Sequence, residues 1–308
     1  LIGGLYLDGE YILLALIKQL IAKRTPNGFL NKSAKQSGSE KENLFTNESL
    51  FRQQLNVFSC QSPGKERFHN EDSLFVLNTT LSGVEGAISF GIFLVADGMG
   101  GHQNGEVASF LAAQAASKYL FDHVFERVVF QKKPIGELEP EKLVRQAVAE
   151  AQKLIYQRVL GGGTTLTLVL AIGEHLFSAH VGDSRLYLLK SDGKMTLSTR
   201  DHSLVKRLVD LGEISEREAS FHPQRNVLYR ALGQTDPFEP DVDAFDLDLG
   251  EKLLICSDGL WSVLEVQQIQ NIIEGTSDLE GAACELVQAA NDAGGPDNIS
   301  VILVERVS

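Results

Sequence analysis

Apolar residues recur along the chain in short runs rich in Val, Leu, Ile, Phe and Thr, broken by Gly, Asp and Asn. Runs bounded by turn formers read as strands. They fall at Asn56–Cys60, Ser73–Asn78, Ala87–Ala96, Thr165–Ile172, Leu176–Val181, Arg185–Lys190, Lys252–Ser257 and Asn298–Arg306. Between them the period becomes helical. Gly105–Phe125 sets Val107, Leu111, Ala115 and Leu120 on one stripe, and Glu141–Val159 does the same with Leu143, Ala147, Leu154 and Val159. Leu264–Ile273 and Leu279–Ala290 supply two more helices. Two helices follow the first strands together, then a meander of three strands leads to a hairpin turn at Ser191-Asp192-Gly193-Lys194. Such grouping predicts an α+β fold of two mostly antiparallel sheets packed face to face, with helices over their outer faces.

The ends of this pattern differ from its middle. Residues 1–25 are apolar, but Asp8, Glu10 and Lys18 interrupt them too often for a spanning helix, and the basic start of a signal peptide is missing. Ile12, Leu16 and Leu20 fall at helical spacing, so a helix packed on this chain, on a partner chain or on a membrane surface is predicted. Polar linker composition follows to about residue 55, and the main domain runs over 56–308. Within it, residues 201–225 form a short helix ending near Gly212 and then a surface-like stretch, which together predict a flexible flap.

Charge and cysteine narrow the function. The chain of 308 residues carries 28 Lys and Arg against 41 Asp and Glu, a formal charge of −13, and its first 56 residues are slightly basic. The acidity therefore belongs to the main domain and argues against nucleic acid as a partner. Three widely spaced cysteines, Cys60, Cys256 and Cys284, exclude a disulfide scaffold and a cysteine-rich zinc site, and predict a reduced, cytoplasmic protein. Cys256, inside Leu253-Leu254-Ile255, reads as a small buried hydrophobe.

The candidate chemistry is a set of carboxylates at the ends of apolar runs. Phe90–Ala96 ends in Asp97-Gly98, Leu253–Ser257 in Asp258-Gly259, and Gly294-Gly295-Pro296 leads to Asp297-Asn298. Glu71-Asp72 opens another strand, and Asp183 follows Val181-Gly182. A single Asp-Gly is usually a turn. Several brought together are costly unless a hard cation offsets them, and all-oxygen ligation suits Mg²⁺ or Mn²⁺ rather than zinc, with structural Ca²⁺ as the rival. His102 lacks any HExxH partner and reads as structural. Arg67, four residues before Glu71, adds a planar donor for a phosphoryl group. Gly161-Gly162-Gly163-Thr164-Thr165 lacks the Gly-Lys-Ser/Thr of a P-loop, and reads instead as a close approach of strands. No Cys-x5-Arg or Gly-x-Ser-x-Gly nucleophile is present, which favours water activated by metal.

Taken together, Arg67–Ser73, Val95–His102, Gly163–Thr165, Val181–Arg185, Asp201–Ser203, Ser257–Trp261 and Gly295–Asn298 resemble, in order, the metal-dependent serine/threonine phosphatases of the PP2C (PPM) family in its bacterial form. The resemblance covers Asn56 to Ser308 and implies a four-layer α-β-β-α sandwich with two Mn²⁺ or Mg²⁺ ions at one end. It implies that Asp97, Asp258 and Asp297 hold one ion, and that Glu71, Asp97 and the Gly98 carbonyl serve the second. Asp72 would orient the attacking water, Arg67 would bind the substrate phosphate, and a metal-bridging hydroxide would attack phosphorus without a covalent phosphoenzyme. Asp183 with Asp258 would hold a weaker third ion. Two departures stand out: Met99 replaces the histidine some members carry there, and Ser262 stands where some place another aspartate. The expected partners are phosphorylated proteins, the substrates of a Ser/Thr kinase. The rival readings are a phosphatase of small phosphoesters and a phosphoprotein-binding module with little turnover.

Overall fold

Strand β3 (Gly86–Met99) shows how the sequence builds the layers. Successive strand side chains point to opposite faces. Ile92, Leu94 and Ala96 face one apolar cluster, while Phe93 and Val95 face another, and all five are inaccessible to solvent. A strand covered on both faces must be apolar at every position, which is why this stretch reads as an unbroken run. The computed structural model describes residues 54–83, 86–100, 103–130, 138–234 and 238–307. The predicted N-terminal helix and its linker up to residue 53 lie outside the described residues, as does His102.

β1 (Leu55–Ser62), β7 (Arg185–Leu189), β8 (Met195–Leu197), β10 (Lys252–Cys256) and β11 (Ile299–Arg306) form one sheet in the order β1-β11-β10-β7-β8. β2 (Asp72–Gly83), β3, β5 (Leu166–Ile172), β6 (His175–Val181) and β9 (Asp241–Asp246) form the second, in the order β2-β3-β5-β6-β9, and β4 (Gly163–Thr164) pairs with the end of β3. Every pairing between these strands is antiparallel. Phe93, Val95, Val169, Leu186, Leu253, Ile255 and Ile302 fill the space between the sheets.

Helices α1 (Gln103–Leu120), continued by a π-helical stretch over Phe121–Phe130, and α2 (Pro140–Arg158) share a cluster with the outer face of the second sheet. The outer face of the first sheet shares its own cluster with α6 (Val266–Gly275) and α7 (Leu279–Asp292). This is the predicted α-β-β-α arrangement.

Four details depart from the sequence reading. The buried face of α1 is Ala108, Ala112, Ala113, Ala116 and Leu120, whereas Val107 is exposed: small side chains let the helix approach the sheet closely, and the apolar stripe is rotated accordingly. The expected three-strand meander is split. β6 stays with β5, but Gly182, at φ +108°, turns the chain so that β7 enters the other sheet beside β10. β9 went unread because it is an edge strand with acidic residues at Asp241, Asp243 and Asp246. The segment predicted as a flap contains two short helices, α3 (Leu204–Asp210) and α4 (Glu216–Ser220), each started by a serine cap. Its ends are tied down where His202 N donates to Gly182 O and Leu204 N to Val227 O.

Candidate metal centre

Each predicted ligand sits where a strand ends. Asp72 begins β2 and Asp97 lies near the end of β3, and antiparallel register sets the two directly opposite each other. On the facing sheet, Cys256 of β10 pairs with Val301 of β11. Asp258, two residues after Cys256, and Asp297, two residues before β11, are thereby brought to the same end. Asp258 also opens the short helix α5 (Asp258–Trp261), whose unpaired first N–H groups favour negative charge. Asp183 lies in the turn between β6 and β7, where the chain passes from one sheet to the other.

Hydrogen bonds fix these positions. Ser257 Oγ and Ser300 Oγ both donate to Oδ2 of Asp72, at 2.8 Å and 2.6 Å, joining the two sheets through one buried carboxylate. Thr165 Oγ1 accepts from Asp97 N at 2.9 Å, and Thr164 Oγ1 donates to Asp97 O at 2.8 Å. Asn298 accepts from Glu71 N at 2.7 Å and donates to the carbonyls of Pro63 and His69, so it ties the loop carrying Arg67 to the loop carrying Asp297. Arg67 Nη2 donates to Asp297 Oδ2 at 2.7 Å. Gly98 admits no side chain, because a Cβ there would stand 2.3 Å from the Gly105 carbonyl oxygen and 2.6 Å from that of Glu71. The triple glycine serves a similar approach: Gly163 pairs with Met99, and a Cβ on Gly162 would meet the Asn104 carbonyl at 2.7 Å.

The electrostatics record the crowding. Burial pushes the Asp72 carboxyl up to about 7, against the hydrogen bonds from Ser300 and Ser257, with Asp258 and Asp297 adding to the rise. Burial, then the charge of Asp297, lifts Asp258 to about 6. Asp97 is raised well above the carboxylate range by burial and then by Asp72, Asp258, Asp183 and Asp297. Asp183 is raised by burial, then by Asp258 and Asp201. Burial raises Glu71 too, with Arg67 opposing. For Arg67 burial acts downward, but Asp297, Glu71 and Asp258 outweigh it and hold the guanidinium charged. Arg67 is exposed, Glu71, Asp97, Asp258 and Asp297 are half-buried, and Asp72 and Asp183 are buried, giving the cluster a positive rim and an acidic floor.

Among the described residues, no three carboxylates, imidazoles or thiols are already closed around one point as a finished cage would be. The donor set nevertheless suits a hard cation. It is all oxygen, Asp97 and Asp258 are near enough to hydrogen-bond to each other, and Oδ1 of Asp72 is buried without any hydrogen-bond partner. A divalent ion offsets the mutual repulsion of these carboxylates.

The sequence reading named the acids and missed what holds them. Ser257 and Ser300 are ordinary serines in sequence, and only the pairing of Ser257 with β11 reveals that both face Asp72. Also unassigned were Arg185, which forms a two-pronged pair with Asp201, at 3.0 Å and 2.7 Å, and lies 3.6 Å from the ring centre of Trp261. Trp261 Nε1 in turn donates to Asp183 O at 3.0 Å. Arg185, Asp201 and Trp261 lie within motifs already singled out, so the available signal was that these motifs hold charged and aromatic residues besides the candidate ligands.

A two-sheet sandwich with an oxygen-rich acidic cluster and an arginine at its rim defines a class of metal-dependent phosphoester hydrolase. Residues 57–299 match the family model described as Protein phosphatase 2C, and the chain belongs to that family. It is a bacterial-type serine/threonine phosphatase that depends on divalent metal ions. The serine/threonine phosphatase stp of Listeria innocua is 37% identical over 248 residues, covering 79% of this chain and 92% of that protein. The Mycobacterium tuberculosis serine/threonine phosphatase PstP/Ppp superposes with a TM-score of 0.69 at 32% identity, covering 82% of this chain and 99% of that one. The catalytic domain of the serine/threonine protein phosphatase PstP, solved with two manganese ions, gives 0.68 at 33% identity over the same shares. Among the described residues no helix is long and apolar enough to cross a membrane.

Proposed function

We propose that this chain hydrolyses phosphoserine and phosphothreonine in proteins by direct attack of water, with Asp97, Asp258 and Asp297 holding one ion and Glu71, Asp97 and the Gly98 carbonyl holding a second. Asp183 beside Asp258 forms a weaker third site. Two Mn²⁺ or Mg²⁺ ions would acidify the attacking water and neutralise charge that develops on the phosphoryl group. The observation that carries this reading is the meeting of both sheets' strand ends at Asp72, Asp97, Asp258 and Asp297 beside Arg67.

The chain's own groups divide the work. Arg67, held at the rim by Asp297, offers its remaining N–H groups to the phosphate oxygens of the substrate. Asp72 accepts two serine hydroxyls on Oδ2 and keeps Oδ1 free of protein partners, so Oδ1 orients the attacking water and takes up its proton. Met99 carries a thioether that donates no proton, so the departing serine or threonine oxygen is protonated by water. The segment 201–225, rooted beside Asp183 and exposing Leu211 and Phe221, acts as a flap that meets the substrate polypeptide.

Phosphate release from a phosphothreonine peptide in saturating Mn²⁺, and then in chelator, tests the reading for wild type beside Asp97→Asn. Turnover should need the metal, and D97N should lose nearly all of it while keeping its fold. Substantial D97N turnover would refute the shared ligand. Faster turnover of small monoesters or of phosphotyrosine peptide would redirect the substrate assignment.

A further inference from the structure

Two of the three cysteines, 224 positions apart in the sequence, are neighbours in the fold. Cys60 lies on β1 and Cys284 on α7, which packs along β1. Cys60 is half-buried against the cluster that Leu279, Ala283, Leu286 and Val287 of α7 help to form, and Cys284 is exposed. Asn291, two helical turns beyond Cys284, donates to Ser62, one strand repeat beyond Cys60, which sets the two cysteines on the facing sides of α7 and β1. The packing around them is well tied. Beyond Cys60, Ser62 Oγ accepts from Asn291 Nδ2 at 3.1 Å; beyond α7, Gly295 O accepts from Lys65 N at 2.7 Å and from Glu66 N at 3.2 Å. β1 thus leads into the loop that carries Arg67, and α7 into the loop that carries Asp297.

We propose that Cys60 and Cys284 form a reversible disulfide under peroxide, a covalent clamp between β1 and α7 next to the loops bearing Arg67 and Asp297. Their chemistry divides by exposure. The Cys284 thiolate, open to solvent, attacks hydrogen peroxide; an S–O bond forms, the O–O bond breaks, and the departing hydroxide takes a proton to become water. Cys60 then attacks the Cys284 sulfur. The S–S bond forms as the S–O bond breaks, and the hydroxide that leaves carries off the Cys60 proton as a second water. Two thiols are oxidised by the loss of two hydrogens, and one peroxide is reduced to two waters. Cys60 suits the second role, since burial and then the neighbouring Cys284 thiol push it up to about 11 and leave it a poor first attacker. Cys256, fully buried on β10, stays out of reach of the oxidant.

The test uses the metal-loaded chain treated with hydrogen peroxide. Intact mass should fall by two hydrogens, non-reducing digestion should give one linked pair of peptides containing Cys60 and Cys284, and dithiothreitol should reverse both. Because the bond closes a long loop, the unfolding midpoint should rise by several degrees and drop back on reduction. Cys284→Ser should abolish the linked pair and the rise, while Cys60→Ser should let Cys284 proceed to sulfinic and sulfonic acid. Wild type that adds oxygen at Cys284 without the linked pair, or that links only between chains, would overturn the proposal. These readouts need no turnover, so they stand or fall separately from the phosphatase mechanism.

Discussion

Arg67 has two duties that one side chain can combine. Its pair with Asp297 is half open to water and stabilises the fold little; what the pair does is hold a planar, charged donor at the rim. Removing that donor weakens phosphate binding more than chemistry. Arg67→Ala is expected to raise KM for phosphopeptide about tenfold, roughly 1.4 kcal/mol, with a smaller loss in kcat. Steady-state kinetics check it, and an unchanged KM would reject the phosphate-binding role. Arg185 presents the opposite case. It is largely buried, its charge is held by Asp201 and its face lies over Trp261. Asp201→Ala strands that guanidinium, and is expected to cost about 3 kcal/mol in denaturant unfolding. Because Trp261 also holds the Asp183 carbonyl, the same variant should bind metal less tightly at the proposed Asp183 site, which titration calorimetry would read.

Elements place the acids, and their meeting is a matter of backbone fit. β3 reaches the start of α1 so closely that Gly98 is walled by the carbonyls of Gly105 and Glu71. Gly98→Ala must force β3 and α1 apart. The expected result is a loss of about 3 kcal/mol in unfolding free energy and a collapse of turnover, since Asp97 moves with the strand. Retained activity at normal stability would show that the two elements separate freely. This fit also marks where the sequence could be read and where it could not. Strands buried on both faces, such as β3, β5 and β11, and helices with an apolar stripe, such as α2 and α7, advertise themselves by period. β9 does not, because its outward positions are acidic and its partners lie on β6 alone. The move of β7 into the other sheet depends on how the chain turns at Gly182, which no run of apolar residues records. The acids were legible because each borders an apolar run, at its start or its end. Their supports, Ser257, Ser300 and Asn298, were not, because what makes them matter is which carboxylate the opposite sheet sets before them.

At the scale of the whole molecule, gathering these acids sets stability against function. A carboxyl raised in the folded state contributes stability that is complete below its unfolded value of about 3.9 and lost as pH rises through the folded value, at about 1.4 kcal/mol per unit of displacement. Asp258 at about 6, Asp72 at about 7, and Asp97 and Asp183 raised as well, therefore drain stability from the metal-free protein as pH climbs toward neutrality. His180 acts with the opposite sign. Burial, with His202 adding, lowers it to about 3, so its unfavourable contribution grows only as pH falls from about 6.5 toward 3. Above pH 6.5 His180 is silent and the acidic cluster is read alone. In chelator, the unfolding midpoint should fall between pH 6.5 and 8, and saturating Mn²⁺ should remove most of that slope. Asp97→Asn deletes the acid most crowded by its neighbours, so in chelator at pH 8 D97N is expected to unfold at a higher temperature than wild type while remaining inactive in Mn²⁺. A chelated wild type whose midpoint is flat across that range, or a D97N that is less stable there, would mean that the carboxylates do not crowd one another as their burial and spacing require.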